Sequence, residues 1–145
     1  MNGDRRVDAL LRDEAGRLWF MAGNATERLI GSGGWKAFDA ITRHGDFSCD
    51  GREDVIAREK ATGKLWLYPG ASTRTLGARR LIGSGGWNSM DHVLAVGDTS
   101  GDGRPDLEAS DGSTLYQHQG RATGGLRKVD NFNRSWWALE KATAF

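Results

Sequence analysis

The heptapeptide Leu-Ile-Gly-Ser-Gly-Gly-Trp occurs twice in this chain of 145 residues, at positions 29–35 and 81–87. A second marker lies ahead of it: Leu-Trp-Phe-Met-Ala-Gly at 18–23 matches Leu-Trp-Leu-Tyr-Pro-Gly at 65–70, and Leu-Tyr-Gln-His-Gln-Gly at 115–120 is a weaker third version. Similar segments that return at a nearly fixed interval indicate structural repeats, each too small to bury a core alone.

An acidic segment completes the repeat and sets its length. Its last aspartate is Asp8 in the first copy, Asp54 in the second and Asp106 in the third, so the copies are 46 and 52 positions apart. The shorter interval reflects a shorter turn after Gly23, and variation in loop length is normal among repeats. We therefore predict a single domain of three repeats, at approximately 1–47, 48–99 and 100–145.

Within a repeat the apolar residues form short runs rather than helical periods. In the second copy these runs are 54–58, 65–68, 79–82 and 92–96, each bounded by Gly, Asp, Ser or Thr. Such runs are typical of short strands joined by tight turns. Four strands in about 50 residues make one blade of a β-propeller. The sequence therefore predicts an all-β fold, a β-propeller built from four-stranded blades.

The acidic segments follow the pattern Asp-x-Ser-x-Asp-Gly-x-x-Asp at 46–54 and 98–106. Ca²⁺ takes roughly six to eight oxygen ligands, which alternate positions of a tight loop can supply, while the glycine permits the bend. Mg²⁺ is disfavoured because it keeps water ligands and a strict octahedron. The alternative is that Asp, Ser and Gly merely stabilise a turn, but two copies in register favour calcium. The predicted ligands are Asp46, Ser48, Asp50, the main-chain carbonyl of Arg52, and Asp54 in one loop, and Asp98, Ser100, Asp102, the carbonyl of Arg104, and Asp106 in the other.

The first copy departs from this pattern. Asn2, Asp4 and Asp8 match its third, fifth and ninth positions, but the first position would precede residue 1. We expect weak or absent calcium binding there unless another segment completes the loop.

The acidic loop, the Leu-Trp-Leu-Tyr-Pro-Gly strand and the Ile-Gly-Ser-Gly-Gly-Trp turn together resemble the FG-GAP/VCBS repeats of integrin-type β-propellers, especially those of secreted proteins of high-GC bacteria. The resemblance fades after Gly120, where Asn-Phe-Asn-Arg-Ser-Trp-Trp at 131–137 replaces the glycine-rich turn. It implies that each acidic loop joins the innermost strand of a blade to the next strand and binds Ca²⁺. It also implies an extracellular location.

The two ends of the chain are offset from the blade boundaries. Residues 138–145 align with the innermost strand at 40–47, so the chain reads as three strands, two complete blades and one further strand. That last strand could complete the first blade within the chain, or two copies could exchange it in a six-bladed homodimer, which we favour. Alternatively, the remaining blades lie on another polypeptide, or 138–143 forms a short helix. Ala144 replaces the first loop aspartate, so such a junction would bind calcium poorly.

Composition and motifs exclude several functions. A net charge of +1 with 27% charged residues gives no sign of nucleic-acid binding, and no apolar run is long enough for a membrane span. No signal peptide is visible at residue 1. Cys49 is the single cysteine. The three histidines occupy unlike repeat positions, so we predict a protein that is not an enzyme.

Two functions remain open. A lectin-like, carbohydrate-binding module would use indole faces that stack on sugar rings, and the predicted ligand-binding residues are Trp35, Trp87, Trp136 and Trp137. The recurring tryptophans could instead pack neighbouring blades, which favours the adjacent pair at 136–137 as the exposed one. The second function is a scaffold for protein–protein interaction or assembly, and a third, weaker one is an accessory region of a larger secreted hydrolase.

Overall fold

The short apolar runs form antiparallel strands in three successive meander sheets. A computed structural model describes residues 8–24, 26–71, 75–121 and 125–129. Sheet 1 contains β1 (Ala9–Arg12), β2 (Leu18–Met21) and β3 (Glu27–Gly31). Sheet 2 contains β4 (Phe38–Arg43), β5 (Val55–Glu59), β6 (Lys64–Tyr68) and β7 (Arg80–Gly83). Sheet 3 contains β8 (His92–Gly97), β9 (Asp106–Ser110), β10 (Leu115–Gly120) and β11 (Leu126–Lys128).

Sheet 2 is apolar on both faces because it packs against a sheet on either side. Successive side chains of a strand point to opposite faces, and all three of Val55, Ile56 and Ala57 are at most 1% exposed. One core, between sheets 1 and 2, contains Leu18, Trp35, Phe38, Val55 and Ala57. The other, between sheets 2 and 3, contains Phe47, Ile56, Leu65, Leu67, Ile82, Trp87, Leu107 and Ala109.

The Gly-Ser-Gly-Gly-Trp turn carries an indole into each core. The fourth residue of the turn, Gly34 or Gly86, has a φ of 82° or 83°, a left-handed conformation that glycine adopts without steric cost. A 3₁₀ turn follows, at Trp35–Ala37 and at Trp87–Ser89. The first glycine is required for another reason, since a Cβ on Gly31 or Gly83 would lie within 3.0 Å of the indole that follows.

Main-chain bonds and one arginine hold each turn against its own sheet. The Trp35 amide donates to the carbonyl of Gly16 at 3.1 Å, and the Trp87 amide donates to that of Gly63 at 3.2 Å. Arg12 donates from Nη1 to the carbonyls of Trp35 and Phe38. Arg58, at the equivalent position of sheet 2, donates to the carbonyls of Trp87 and Met90. The repeated sequence therefore builds the same joint twice.

The all-β prediction is confirmed, as is the offset of three strands followed by two four-stranded sheets. The predicted strands of the second copy lie within one residue of the strands observed. The first strands of sheets 2 and 3, β4 and β8, contact each other, as innermost strands of neighbouring blades do. Residues 138–145, for which we predicted a further strand, lie outside the described residues. None of the described helices is long and apolar enough to cross a membrane.

Candidate functional site

The first aspartate of each acidic loop holds the loop in its bend. The loops join β4 to β5 and β8 to β9. Asp46 accepts hydrogen bonds from the amides of Asp50 at 2.8 Å and Gly51 at 2.7 Å. Asp98 accepts hydrogen bonds from three main-chain amides, including that of Gly103 at 2.7 Å. The bond from Gly103 contributes most to holding the pKa of Asp98 below its usual range. Both carboxylates are therefore already engaged by main-chain donors.

The last aspartate of each loop is buried and joins the loop to the end of a neighbouring strand. One oxygen of Asp54 accepts from the Ser48 amide at 2.6 Å and the other from the Gly70 amide at 2.9 Å. Asp106 accepts in the same way from the amides of Ser100 and Gly120. In the first copy Asp8 accepts from the amide of Gly23 at 3.1 Å. In all three repeats, the last aspartate of the loop therefore accepts a hydrogen bond from a glycine amide at or just after the end of a strand.

The central positions of the loops lie towards solvent. Asp50 and Asp102 each accept a hydrogen bond from the amide two residues ahead, and each faces the guanidinium of that residue, Arg52 at 3.8 Å and Arg104 at 3.3 Å. Ser48 differs, because its hydroxyl oxygen is buried and has no hydrogen-bond partner among the described residues. Buried polar groups normally have a hydrogen-bond partner, so this hydroxyl is a candidate to bind a ligand from outside the protein.

The fit of these loops to Ca²⁺ is partial. The unpartnered Ser48 hydroxyl, the carboxylates of Asp46 and Asp50 and the Arg52 carbonyl are oxygen donors of the kind that Ca²⁺ binds. Asp54, however, is fully buried with both oxygens bonded to amides. Within the described part of the chain, no three acidic or histidine side chains converge closely enough to hold a metal ion. A cation in these loops would therefore rely on the first, third, fifth and seventh positions.

Two of the four predicted ligand-binding tryptophans, Trp35 and Trp87, are buried. Trp35 is 5% exposed and Trp87 is 8% exposed, and each packs between two sheets. Trp136 and Trp137 lie outside the described residues, as do Asn2 and Asp4 of the first acidic loop.

An open groove of about 260 Å³ lies where the glycine-rich turn that follows the last strand of sheet 2 faces sheet 3. We call it the groove between sheets 2 and 3. Its walls include Trp87 and Met90 from the turn and Tyr116, His118 and Lys128 from β10 and β11. The Trp87 and His118 rings are 4.6 Å apart, and the Lys128 ammonium lies 4.7 Å from the centre of the Tyr116 ring. The groove therefore combines an aromatic wall with a cation at its rim.

His118 gives the groove a buried polar atom. The residue is 9% exposed, and its Nδ1 finds no hydrogen-bond partner among the residues that the structure describes. Burial, reinforced by the nearby Lys128 ammonium, lowers the pKa of His118 to about 4. At neutral pH the imidazole is therefore uncharged, and its Nδ1 can donate or accept one hydrogen bond according to its tautomer.

The contributions of His118, Tyr116 and Lys128 were not predicted from the sequence. A signal was present, because His118 occupies the repeat position of Tyr68, and Met90 occupies that of Phe38. Around Trp35 the larger rings pack on each other, with centroid distances of 4.7 Å to Tyr68 and 5.4 Å to Phe38. The second copy of the joint is lined by smaller side chains, and this is where the groove lies.

One segment of the chain matches the model of a known protein family. Residues 46–107, which hold both acidic loops and all of β5 to β8, match the family model described as an FG-GAP-like repeat. Searches of curated proteins and of solved structures returned no significant match. The match covers the part of the chain in which the acidic loop, the strands and the glycine-rich turn follow one another in the predicted order. Residues 46–107 are therefore similar to an FG-GAP-like repeat.

Proposed function

We propose that this protein is a non-catalytic module of the β-propeller type, stabilised by calcium, that binds carbohydrate in the groove between sheets 2 and 3. The observation that carries the proposal is the open groove whose walls include Trp87, Tyr116 and His118, with the Lys128 ammonium at its rim. Carbohydrate sites combine aromatic surface, against which the sugar C–H groups lie, with a few polar groups that orient the hydroxyls. The groove supplies both.

The propeller arrangement is supported by the way the sheets pack. Sheet 2 packs on sheet 1 through one face and on sheet 3 through the other, and β4 lies beside β8. A repeat that buries both faces of its middle sheet is typical of radial stacking, where each blade needs two neighbours. The FG-GAP-like match supports a binding or scaffold role over catalysis, and an extracellular location agrees with the calcium proposal.

Calcium is proposed to bind at the outer side of the acidic loops. The second loop would use Asp46, Ser48, Asp50 and the Arg52 carbonyl, and the third would use Asp98, Ser100, Asp102 and the Arg104 carbonyl. The supporting observation is the buried Ser48 hydroxyl without a partner among the described residues. When bound, the ion would relieve the repulsion between neighbouring carboxylates. Asp54 and Asp106 would keep their bonds to amides and shape the loop from beneath.

A glycan array tests the carbohydrate proposal. The intact protein is applied with calcium and, separately, with a chelator, and bound glycans are compared with those bound by a His118→Tyr/Met90→Phe variant. The two substitutions copy the residues of the first joint, Tyr68 and Phe38, so the variant should fold. We expect the wild type to retain glycans that the variant loses. If the wild type retains no glycan under either condition, the proposal is wrong.

A second candidate function, assembly through sheet–sheet contact, is favoured by one exposed sheet face. Leu11 of sheet 1 is directly opposite Trp19 and is 53% exposed, whereas its equivalent in sheet 2, Ala57, is fully buried. The equivalent row of sheet 2, which includes Ala57 and Trp66, packs against sheet 1.

We propose that sheet 3 of a second copy covers this face, with the reciprocal contact closing a six-bladed homodimer. Light scattering coupled to size-exclusion chromatography should give a mass twice that of the 15.8 kDa chain. It should give a monomer for Leu11→Asp, and a dimer for the control Leu81→Asp, which alters an exposed leucine of sheet 2. A monomeric wild type would contradict the dimer.

A further inference from the structure

The rim of the groove between sheets 2 and 3 indicates which sugars it would take. We propose that the groove binds a single pyranose ring bearing a carboxylate, as a uronic acid does, with the carboxylate at Lys128. This inference rests on the proposed carbohydrate function and makes it more specific. At about 260 Å³ the groove is smaller than the roughly 300–1,000 Å³ typical of sites for drug-sized ligands. Its size suits one sugar ring.

Charge at the rim distinguishes an acidic from a neutral sugar. Lys128 is exposed, its ammonium lies over the Tyr116 ring, and it forms no ion pair with a carboxylate of the described residues. Asp111 is bound to the same ring, because it accepts a hydrogen bond from the Tyr116 hydroxyl at 2.8 Å. Asp111 is also bonded to the amides of Ser113 and Thr114 and to the Ser113 hydroxyl within its own turn. Lys128 is therefore the group at the groove that can pair with a ligand carboxylate.

The floor of the groove suits a hydroxyl group. His118 pairs directly with Lys128 across β10 and β11, so both side chains are on the same face of sheet 3. Its Nδ1 is buried and unpartnered among the described residues. A sugar hydroxyl is both donor and acceptor, so it would satisfy either tautomer of the neutral imidazole once the ring turned its buried Nδ1 towards the groove. A ligand with a carboxylate next to a ring hydroxyl would reach Lys128 and His118 together.

The side chains that line the groove differ from those at the same positions of the first joint. Arg58 fixes the carbonyls of Trp87 and Met90 just as Arg12 fixes those of Trp35 and Phe38. The difference lies in the side chains that fill the joint. Placing the side chains of the first joint at the equivalent positions of the second should therefore fill the groove.

Titration calorimetry with a matched pair of ligands tests the inference. Methyl glucuronide and methyl glucoside differ in the carboxylate that replaces a hydroxymethyl group. We expect the intact protein to bind the glucuronide roughly fivefold more tightly, the size of an exposed ion pair, with less preference at high salt. Lys128→Gln should abolish the preference and retain glucoside binding. The control Lys60→Gln, which removes an exposed lysine in the turn between β5 and β6, should change neither affinity.

The His118→Tyr/Met90→Phe variant locates the site. It should lose both ligands while its thermal unfolding stays cooperative. Equal binding of the two ligands by the wild type, or an unchanged preference in Lys128→Gln, would overturn the acidic-sugar inference and leave the carbohydrate function standing. Retention of both ligands by the filled variant would place the site elsewhere and overturn the inference. If the wild type binds neither ligand and retains no glycan on the array, the carbohydrate function fails as well.

Discussion

At the scale of single residues, the aspartates of the acidic loops divide into two kinds. Asp50 and Asp102 are on the solvent side, whereas Asp54 and Asp106 are fully buried and accept amide hydrogen bonds from two directions. Burial raises the pKa of Asp54, and the amides it accepts from oppose that shift. The sequence pattern does not distinguish these aspartates, but their different burial and hydrogen bonds give them different roles in the fold.

We therefore expect Asp54→Asn to destabilise the protein far more than Asp50→Asn. An asparagine has one acceptor oxygen, so its amide group would face a main-chain N–H that now has no partner, at a cost of about 1–3 kcal/mol. Asp50 is exposed, and its replacement should cost under about 0.5 kcal/mol. Urea unfolding in chelator measures both without a contribution from calcium. Equal losses for the two variants would contradict the anchoring role of Asp54.

The buried histidines predict how stability depends on pH. The folded protein binds a proton at His118 only near pH 4, whereas the unfolded chain does so near the ordinary value of 6.5. Between these values the unfolded state holds more protons, so stability is present above pH 6.5 and is lost as the pH falls towards 4. Burial also lowers the pKa of His44 and acts in the same direction.

We expect His118→Tyr to lose less stability on acidification than the wild type, by on the order of 1–3 kcal/mol between pH 6.5 and 4. Urea unfolding at a series of pH values measures this. An identical loss in the two proteins would mean that His118 is protonated at its ordinary pKa in the fold.

At the scale of elements, the glycine-rich turn is the part that the sequence defines most sharply. Gly31 lies where the indole of Trp35 crosses the end of β3, and a Cβ there would lie within 3.0 Å of the indole. Gly33, two residues later, has no neighbour within 4 Å of such a Cβ. We expect Gly31→Ala to cost about 1–3 kcal/mol through overpacking. The control Gly33→Ala should lie within about 0.5 kcal/mol of the wild type. Thermal unfolding compares the two variants, and similar melting temperatures would contradict this packing.

The acidic loops lead to a prediction about metal removal. A ligand that binds only the folded state stabilises it, so a chelator should lower the melting temperature by a few degrees, on the order of 1 kcal/mol. Asp102→Ala should have a similar effect in calcium and little further effect in chelator. If the melting curve is the same with calcium and with chelator, the loops are closed by their own hydrogen bonds, as Asp46 and Asp98 already are in part.

Much of the fold could be predicted from the sequence, because the repeat presents each strand and turn more than once. The strands of the second copy were located within one residue, and the loops fell between the first two strands of sheets 2 and 3. The groove could not be predicted in the same way. It depends on which side chains meet across two sheets, and on Met90 and His118 being smaller than their counterparts Phe38 and Tyr68. The same comparison explains why Trp35 and Trp87, although identical in sequence context, differ in what surrounds them.

At the scale of the whole molecule, three sheets in chain order make two joints of one design, and the second joint holds the groove. The two cores meet at sheet 2, and the groove lies beside the core between sheets 2 and 3, to which Trp87 belongs. A binding site in such a position can be rigid before its ligand arrives, which lowers the ordering cost of binding.

The most direct test of this account compares the two joints within one molecule. The indole N–H signals of Trp35 and Trp87, assigned by substitution, are followed by ¹⁵N NMR as methyl glucoside is added to the intact protein. The account predicts that the Trp87 signal shifts with ligand concentration and saturates, while the Trp35 signal stays in place. Equal shifts at both indoles, or no shift at Trp87 while the ligand binds, would contradict a carbohydrate site in the groove between sheets 2 and 3.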